Sequence, residues 1–250
     1  MKRIALAFYG QLRNVDDTYP YWKKNIIDPL NIQDIYVHTW REEIDEYKYN
    51  TVKTVKFKVG PSVLLRFIEL YKPKLIMQSD YEDVKKTDQW FTPTERIRFC
   101  VADIYVAQYI WFAMNKIINL IDENEYDAII LSRTDNIFVN QIKNLPIENN
   151  EILASTMMFD LNLDGQFQSV SDIVVAGDVK TMKKFASIGT NYKKLHEAGV
   201  HWHGESLVGE NLKRLNVNVR KFFKYPNDHY FFRDRQYMID RILEPDGSWM

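Results

Sequence analysis

Tyr126-Asp127-Ala128-Ile129-Ile130-Leu131-Ser132-Arg133-Thr134-Asp135-Asn136 is the stretch on which the reading of the chain turns. Four apolar residues in succession read as a strand buried on both faces, as in a parallel sheet covered by helices. The run stops at a polar cluster. In an open α/β sheet, ligands sit outside the carboxyl ends of the strands, so chemistry is expected at Ser132–Asn136. A carboxylate there is suited to a metal ion and an arginine to a phosphate. The plainer reading is a strand end with a solvated arginine and an Asx turn.

Working outward, the same pattern recurs. Residues 4–8 form a short apolar run that ends in Tyr9-Gly10-Gln11-Leu12-Arg13-Asn14. Gly10 permits a tight turn or close approach to a ligand, and Arg13 is then placed to face a phosphate. The alternative is a plain turn. A helix is expected over residues 18–27 despite Pro20, then a strand over 34–40 that finishes in His38-Thr39-Trp40. Residues 41–60 are charged and without a clear period, so an irregular excursion is expected. Residues 61–71 carry apolar positions at helical spacing, and Pro73 stops them. A third strand is expected at 74–78.

Thr92-Pro93-Thr94-Glu95 is a capping box with proline at the first helical position. The apolar stripe behind it predicts one helix of about 28 residues, roughly 40 Å long. It leads into the strand at 128. Alternation of β and α over this half argues for a mainly parallel sheet with flanking helices. After the polar break at 144–150, strands are expected at 152–156, 172–177 and 216–223. A helix capped by Asp178 is expected to run to Leu195, and another to follow His201-Trp202-His203-Gly204-Glu205.

The chain has 250 residues, enough for one large α/β domain. Its net charge of −1 supplies no global basic field, so nucleic acid is not an expected partner. The single Cys100 excludes an internal disulfide and fits a reducing, cytoplasmic setting. The most apolar segment, residues 101–121, carries Asp103, Gln108, Asn115 and Lys116, so no transmembrane span is expected.

These segments, in this order, resemble small nucleotide-sugar-dependent glycosyltransferases of the GT-A type: the first strand running into Gly10-Gln11-Leu12-Arg13-Asn14, the strand ending at Trp40, and the Tyr-Asp…Arg-x-Asp strand at 126–135. The resemblance covers nearly the whole chain. It implies a Rossmann-like GT-A fold in a single domain, with residues 1–143 as the nucleotide-sugar half and 144–250 as the acceptor half. Gly10, Gln11, Arg13, His38, Thr39, Arg133 and Asp135 are then expected at the donor, and Mn²⁺ or Mg²⁺ at Asp135. The family's Asp-x-Asp motif is here Arg133-Thr134-Asp135, with only the last carboxylate in place, so Arg133 is an alternative source of positive charge. Gly204-Glu205 resembles the segment that supplies the base in inverting members, with Ser206 in place of a second acid.

Glu205 and Asp172 are therefore the candidate catalytic carboxylates. Each has a plainer reading: Glu205 as a first-turn helix carboxylate, Asp172 as a turn residue at a strand start. Arg133 has one as a salt bridge supporting the strand end, and His38 as a hydrogen-bonded core histidine. Expected partners are a nucleoside-diphosphate sugar and a glycan or lipid-linked glycan acceptor, with peripheral membrane contact open to the basic, aromatic segment 220–237. A nucleotidyltransferase is the competing enzyme class, although Gly10-Gln11-Leu12-Arg13 lacks the extra glycines it wants. A non-catalytic nucleotide- or carbohydrate-binding module is the competing class outside enzymes.

Overall fold

A computed structural model of the chain describes residues 2–41, 44–49, 53–59, 61–90, 104–156, 169–200, 204–225 and 227–231. The capping box at 92–95, Cys100, His201 and His203 lie outside them. Seven strands form one mixed sheet: β1 (Ile4–Tyr9), β2 (Asp34–Trp40), β5 (Leu75–Ser79), β6 (Ala128–Ser132), β8 (Glu151–Ser155), β9 (Val174–Gly177) and β10 (Asn218–Phe223). Their order is β5-β2-β1-β6-β9-β8-β10. All run parallel except β9, which is antiparallel to β6 and to β8. The expected α/β architecture, a mainly parallel mixed sheet flanked by helices, is what the chain forms. Strands from both halves of the sequence share the one sheet.

Alternation along β1 shows how two layers are filled. Ala5, Ala7 and Tyr9 point to one face, and Ile4, Leu6 and Phe8 to the other. The small residues admit α4 (Ile104–Ile118) against the sheet, where it packs with α5 (Val179–Ala186), α6 (Ile188–Glu197) and α7 (Gly204–Arg214). On the opposite face, Phe8 meets Trp22, Phe67 and Tyr71 edge-on at centroid distances of 4.9, 5.7 and 5.2 Å. Those rings come from α1 (Val15–Trp22) and α2 (Pro61–Tyr71). Strand β6 alternates in the same way, which is why its sequence is apolar throughout.

Three local expectations change. Residues 44–59 form an antiparallel hairpin of β3 (Ile44–Tyr49) and β4 (Lys53–Val59), not an irregular excursion. Val55, Phe57 and Val59 alternate with Lys56 and Lys58, a period of two that marks a strand within a segment whose overall charge hid it. Helix α1 starts at Val15 and continues through a π-helical turn at Lys23–Ile27, so Pro20 lies inside the helix, not near its start. The helix capped by Asp178, whose side chain accepts from the Thr181 amide, breaks at Ser187 into α5 and α6.

Gly189 lies just past that break, in the first turn of α6. A Cβ at this position would lie 2.5 Å from the Trp111 carbonyl oxygen and 2.7 Å from Asn115 Cβ, so the glycine lets α6 touch the backbone of α4. In an open helix, Gly→Ala stabilises by about 1 kcal/mol. Here Gly189→Ala is expected to destabilise the protein by about 1–3 kcal/mol, as overpacking does. Urea unfolding checks the sign, and a stabilised variant would show that α4 and α6 are not this close.

Candidate functional site

The connection from β1 goes to β2 on one side, while β6 lies on the other side of β1. The carboxyl ends of β1 and β6 therefore flank a topological switch point, the usual crevice of an open α/β sheet. Because β9 is antiparallel, its entry lies at this same edge: Ser132 pairs with Val174, and Asp172 stands two residues before that. Topology thus brings together the two loops and the acidic residue that the sequence singled out separately.

Gly10 has φ +88° and turns the chain out of β1 into the loop carrying Gln11 and Arg13. The Arg13 amide donates to Thr134 Oγ1 at 3.1 Å, which ties the β1 loop to the β6 loop. Arg13 Nη2 donates to Gln11 Oε1 at 2.7 Å, and Gln11 Nε2 donates to the Tyr81 hydroxyl at 2.8 Å. Asp135 is only 2% exposed. Arg133 grips it with two bonds, Nε to Oδ1 at 2.9 Å and Nη2 to Oδ2 at 2.7 Å. Arg13 Nη1 adds an ion pair at 3.7 Å from Oδ2. Burial, the largest single influence, works against the charge on Arg133, but Asp135, Tyr9 and Asp172 together exceed it, so its pKa rises. Two guanidiniums, 15% and 19% exposed at the side chain, share one buried carboxylate.

Tyr9 donates its hydroxyl to the Asp172 carbonyl at 2.7 Å. Burial, and then the charge of Asp172, push its pKa well above the phenol range, so it stays neutral. The Asp172 carboxyl is pushed up to about 7, first by burial and then by Glu205, with Arg133 pulling the other way. Glu205, in the first turn of α7, is also raised by burial, while its own backbone amide opposes the shift. The Val170 amide donates to the Glu205 carbonyl at 3.0 Å, which holds α7 beside the approach to β9. Asp172 and Glu205 are neighbouring carboxyls, and burial raises both.

His38 and Thr39 lie at the end of β2 but are 0% and 3% exposed. His38 Nε2 bonds Ser79 Oγ at 3.0 Å, and burial lowers its pKa to about 4. His38 Nδ1 is buried without a hydrogen-bond partner. Trp40 is stacked by Tyr81 at 4.6 Å, and Tyr81 packs on Tyr109 at 4.6 Å, so half-buried aromatics border the Gln11–Arg13 loop. The sequence reading did not single out Tyr81 or Tyr109. Only contact with Gln11 and Trp40 marks them.

It also missed His229, in β11 (His229–Phe231), which pairs with β7 (Asn136–Phe138). Burial lowers its pKa to about 4, so its ring is neutral. A consistent buried chain follows. The Ser155 hydroxyl donates to His229 Nε2 (2.8 Å), and His229 Nδ1–H donates to Asn136 Oδ1 (3.0 Å). Asn136 Nδ2 donates to Ser132 Oγ (3.2 Å), and the Ser132 hydroxyl donates to the Ile173 carbonyl (3.0 Å). The chain braces both residues that flank the site, Asn136 beside Asp135 and Ile173 beside Asp172. No sequence pattern marks such a bond.

Among the described residues, no group of three His, Cys, Asp or Glu side chains assembles as a metal ligand set. A concavity of about 800 Å³ lined by Tyr19, Lys23, Lys24, Asp28, Gln141 and Lys143 shares no residue with the charged edge. Fold and site define an α/β protein whose charged groups gather at a sheet switch point. No protein-family model matches the chain, and no curated protein does either.

The carboxyl of Asp172 holds its proton more tightly in the folded than in the unfolded chain. Its contribution is thus present below the ordinary carboxylate range and lost as pH rises towards about 7. Asp172→Asn is expected to remove this loss, giving a flatter urea midpoint between pH 5 and 8 than the parent chain. An unchanged pH slope would place the raised group elsewhere.

Proposed function

We propose that the chain is a glycosyltransferase of GT-A type, moving a sugar from a nucleoside-diphosphate sugar to an acceptor hydroxyl on a glycan or lipid-linked glycan. The observation that carries this reading is one edge of the sheet where Arg13 and Arg133 surround a buried carboxylate and Asp172 and Glu205 share charge nearby. The order of motifs along the sequence supports it independently.

Sugar transfer breaks the bond between the anomeric carbon and the diphosphate oxygen and forms one to the acceptor oxygen. The diphosphate leaves with the bonding electron pair, and the acceptor proton must go to a base. In this reading Arg13 and Arg133 meet the charge growing on the diphosphate. Glu205, with Asp172 beside it, receives the proton. Burial raises both carboxyls, Asp172 to about 7, which brings the pair towards the range a base needs at neutral pH. Tyr9, neutral and bonded to the Asp172 carbonyl, holds the start of β9 in place. Tyr81 and Tyr109 offer aromatic surface for a nucleobase beside the Arg13 loop.

A divalent cation at Asp135 is the family expectation. The residues present do not fit it there: both carboxylate oxygens accept from Arg133, and Arg13 stands at 3.7 Å. No step is routed through a metal. Among the described residues, no helix is long and apolar enough to cross a membrane. A lipid-linked acceptor would then be met at the membrane surface.

A non-catalytic nucleotide-binding module is the second reading, favoured by the same engagement of Asp135. Turnover separates the two. With a panel of UDP-, GDP-, CMP- and dTDP-sugars, release of free nucleotide is expected from one donor. Glu205→Gln should lower that rate about a hundredfold or more while leaving the donor-induced thermal shift in place. Binding without hydrolysis or transfer from any donor would favour the module and overturn the transferase.

A further inference from the structure

We infer that Arg13 and Arg133 hold the diphosphate directly, and that Asp135 orients and charges this pair of guanidiniums instead of ligating a divalent cation. The inference rests on the proposed nucleotide-sugar reading and specifies how its donor is held. A cation bound to a carboxylate sits about 2.0–2.1 Å from oxygen in the case of Mg²⁺. At Asp135 that position competes with the Arg133 fork, whose bonds are 2.9 and 2.7 Å. A dication there would also stand beside two guanidiniums with like charge, at a carboxylate 2% exposed.

The same geometry suits an anion. Arg13 and Arg133 bring two guanidiniums together at Asp135, with Asp172 acting on Arg133 from the β9 side. A diphosphate meets them through the 15% and 19% of their side chains that stay exposed. Both arginines are set before the ligand arrives. Arg133 is aligned by its two bonds to Asp135. Arg13 is fixed by its amide on Thr134 Oγ1 at 3.1 Å and its Nη2 on Gln11 Oε1 at 2.7 Å. Preset donors gain affinity because little side-chain freedom is lost on binding. Guanidinium planes also match the paired oxygens of phosphates, which a lysine would not do. Asp135 is thus a positioning residue: it keeps Arg133 charged in a buried setting and fixes its plane.

The test uses inorganic pyrophosphate and the full chain, by titration calorimetry in excess EDTA and again with Mn²⁺. Binding of pyrophosphate in EDTA is expected, and Mn²⁺, which pairs with free pyrophosphate and lowers its charge, is expected to leave the apparent affinity equal or weaker, not to create it. Arg13→Gln should weaken it about tenfold or more, as expected for loss of a charge-assisted contact. Arg133→Lys, which keeps charge but loses the fork, should weaken it too, and thermal unfolding of each variant verifies that the fold is intact. Added sodium chloride should weaken binding steeply, as it does for charge-driven contacts. Pyrophosphate binding that appears only with Mn²⁺ would overturn the inference and leave the glycosyltransferase reading standing. Absence of binding in both conditions would overturn it as well. Binding in EDTA without turnover of any nucleotide sugar would support the clamp while removing the transferase.

Discussion

A carboxylate that is 2% exposed keeps its charge only with a partner, and Asp135 has its partner two residues away in Arg133. This fork is the interaction on which the charged edge depends. Removing Asp135 takes away the carboxylate that both guanidiniums share, a cost of about 3–5 kcal/mol. Its position is equally constrained. β6 is apolar on both faces through Leu131, so the first charged residues after it must turn at the sheet edge. Ser132 and Asn136 spend their polar atoms on each other and on Ile173 and His229, which leaves Arg133 and Asp135 to set the charge of the corner.

From that corner the remaining groups follow by topology. Parallel pairing of β1 with β6 puts the Gly10–Arg13 turn beside it, and the Thr134 hydroxyl joins the two loops. Antiparallel β9 enters at the same edge and delivers Asp172, while the first turn of α7 delivers Glu205. The site is therefore polarised. Guanidiniums lie on the side of β1 and β6, and proton-sharing carboxyls on the side of β9 and α7. In the proposed reaction the first side stabilises the departing diphosphate and the second takes the acceptor's proton. Arg133 bridges them electrically, since its charge also lowers the Asp172 carboxyl against the upward pull of burial.

Much of this was legible from local pattern. The apolar runs at 4–8, 34–40 and 126–131, the helix at 61–71 and the Asp178 cap all correspond to formed elements, because burial on two faces, helical period and capping are written in neighbouring residues. The candidates Arg13, Arg133, Asp135, Asp172 and Glu205 came from strand ends and helix starts, and the sheet order gathers them at one edge. What stayed hidden depends on distant partners. His38 and Thr39 read as polar residues at a strand end, yet both are buried, and Ser79 on the next strand takes one of the two His38 ring nitrogens. At the break between α5 and α6, Asn115 Nδ2 donates to the Ala186 carbonyl and Asn211 Nδ2 to the Lys184 carbonyl, from 71 and 27 residues away. His229 gains its meaning from Ser155 and Asn136, 74 and 93 residues away.

A crystal structure of the chain with a bound nucleoside diphosphate locates the donor and its contacts. The two phosphates are expected at the carboxyl ends of β1 and β6, bonded to the guanidiniums of Arg13 and Arg133, with Asp135 still on Arg133 and the sugar side open towards Asp172 and Glu205. A nucleotide bound elsewhere on the chain, or phosphates carried by a metal ion on Asp135 with Arg133 displaced, would contradict this arrangement.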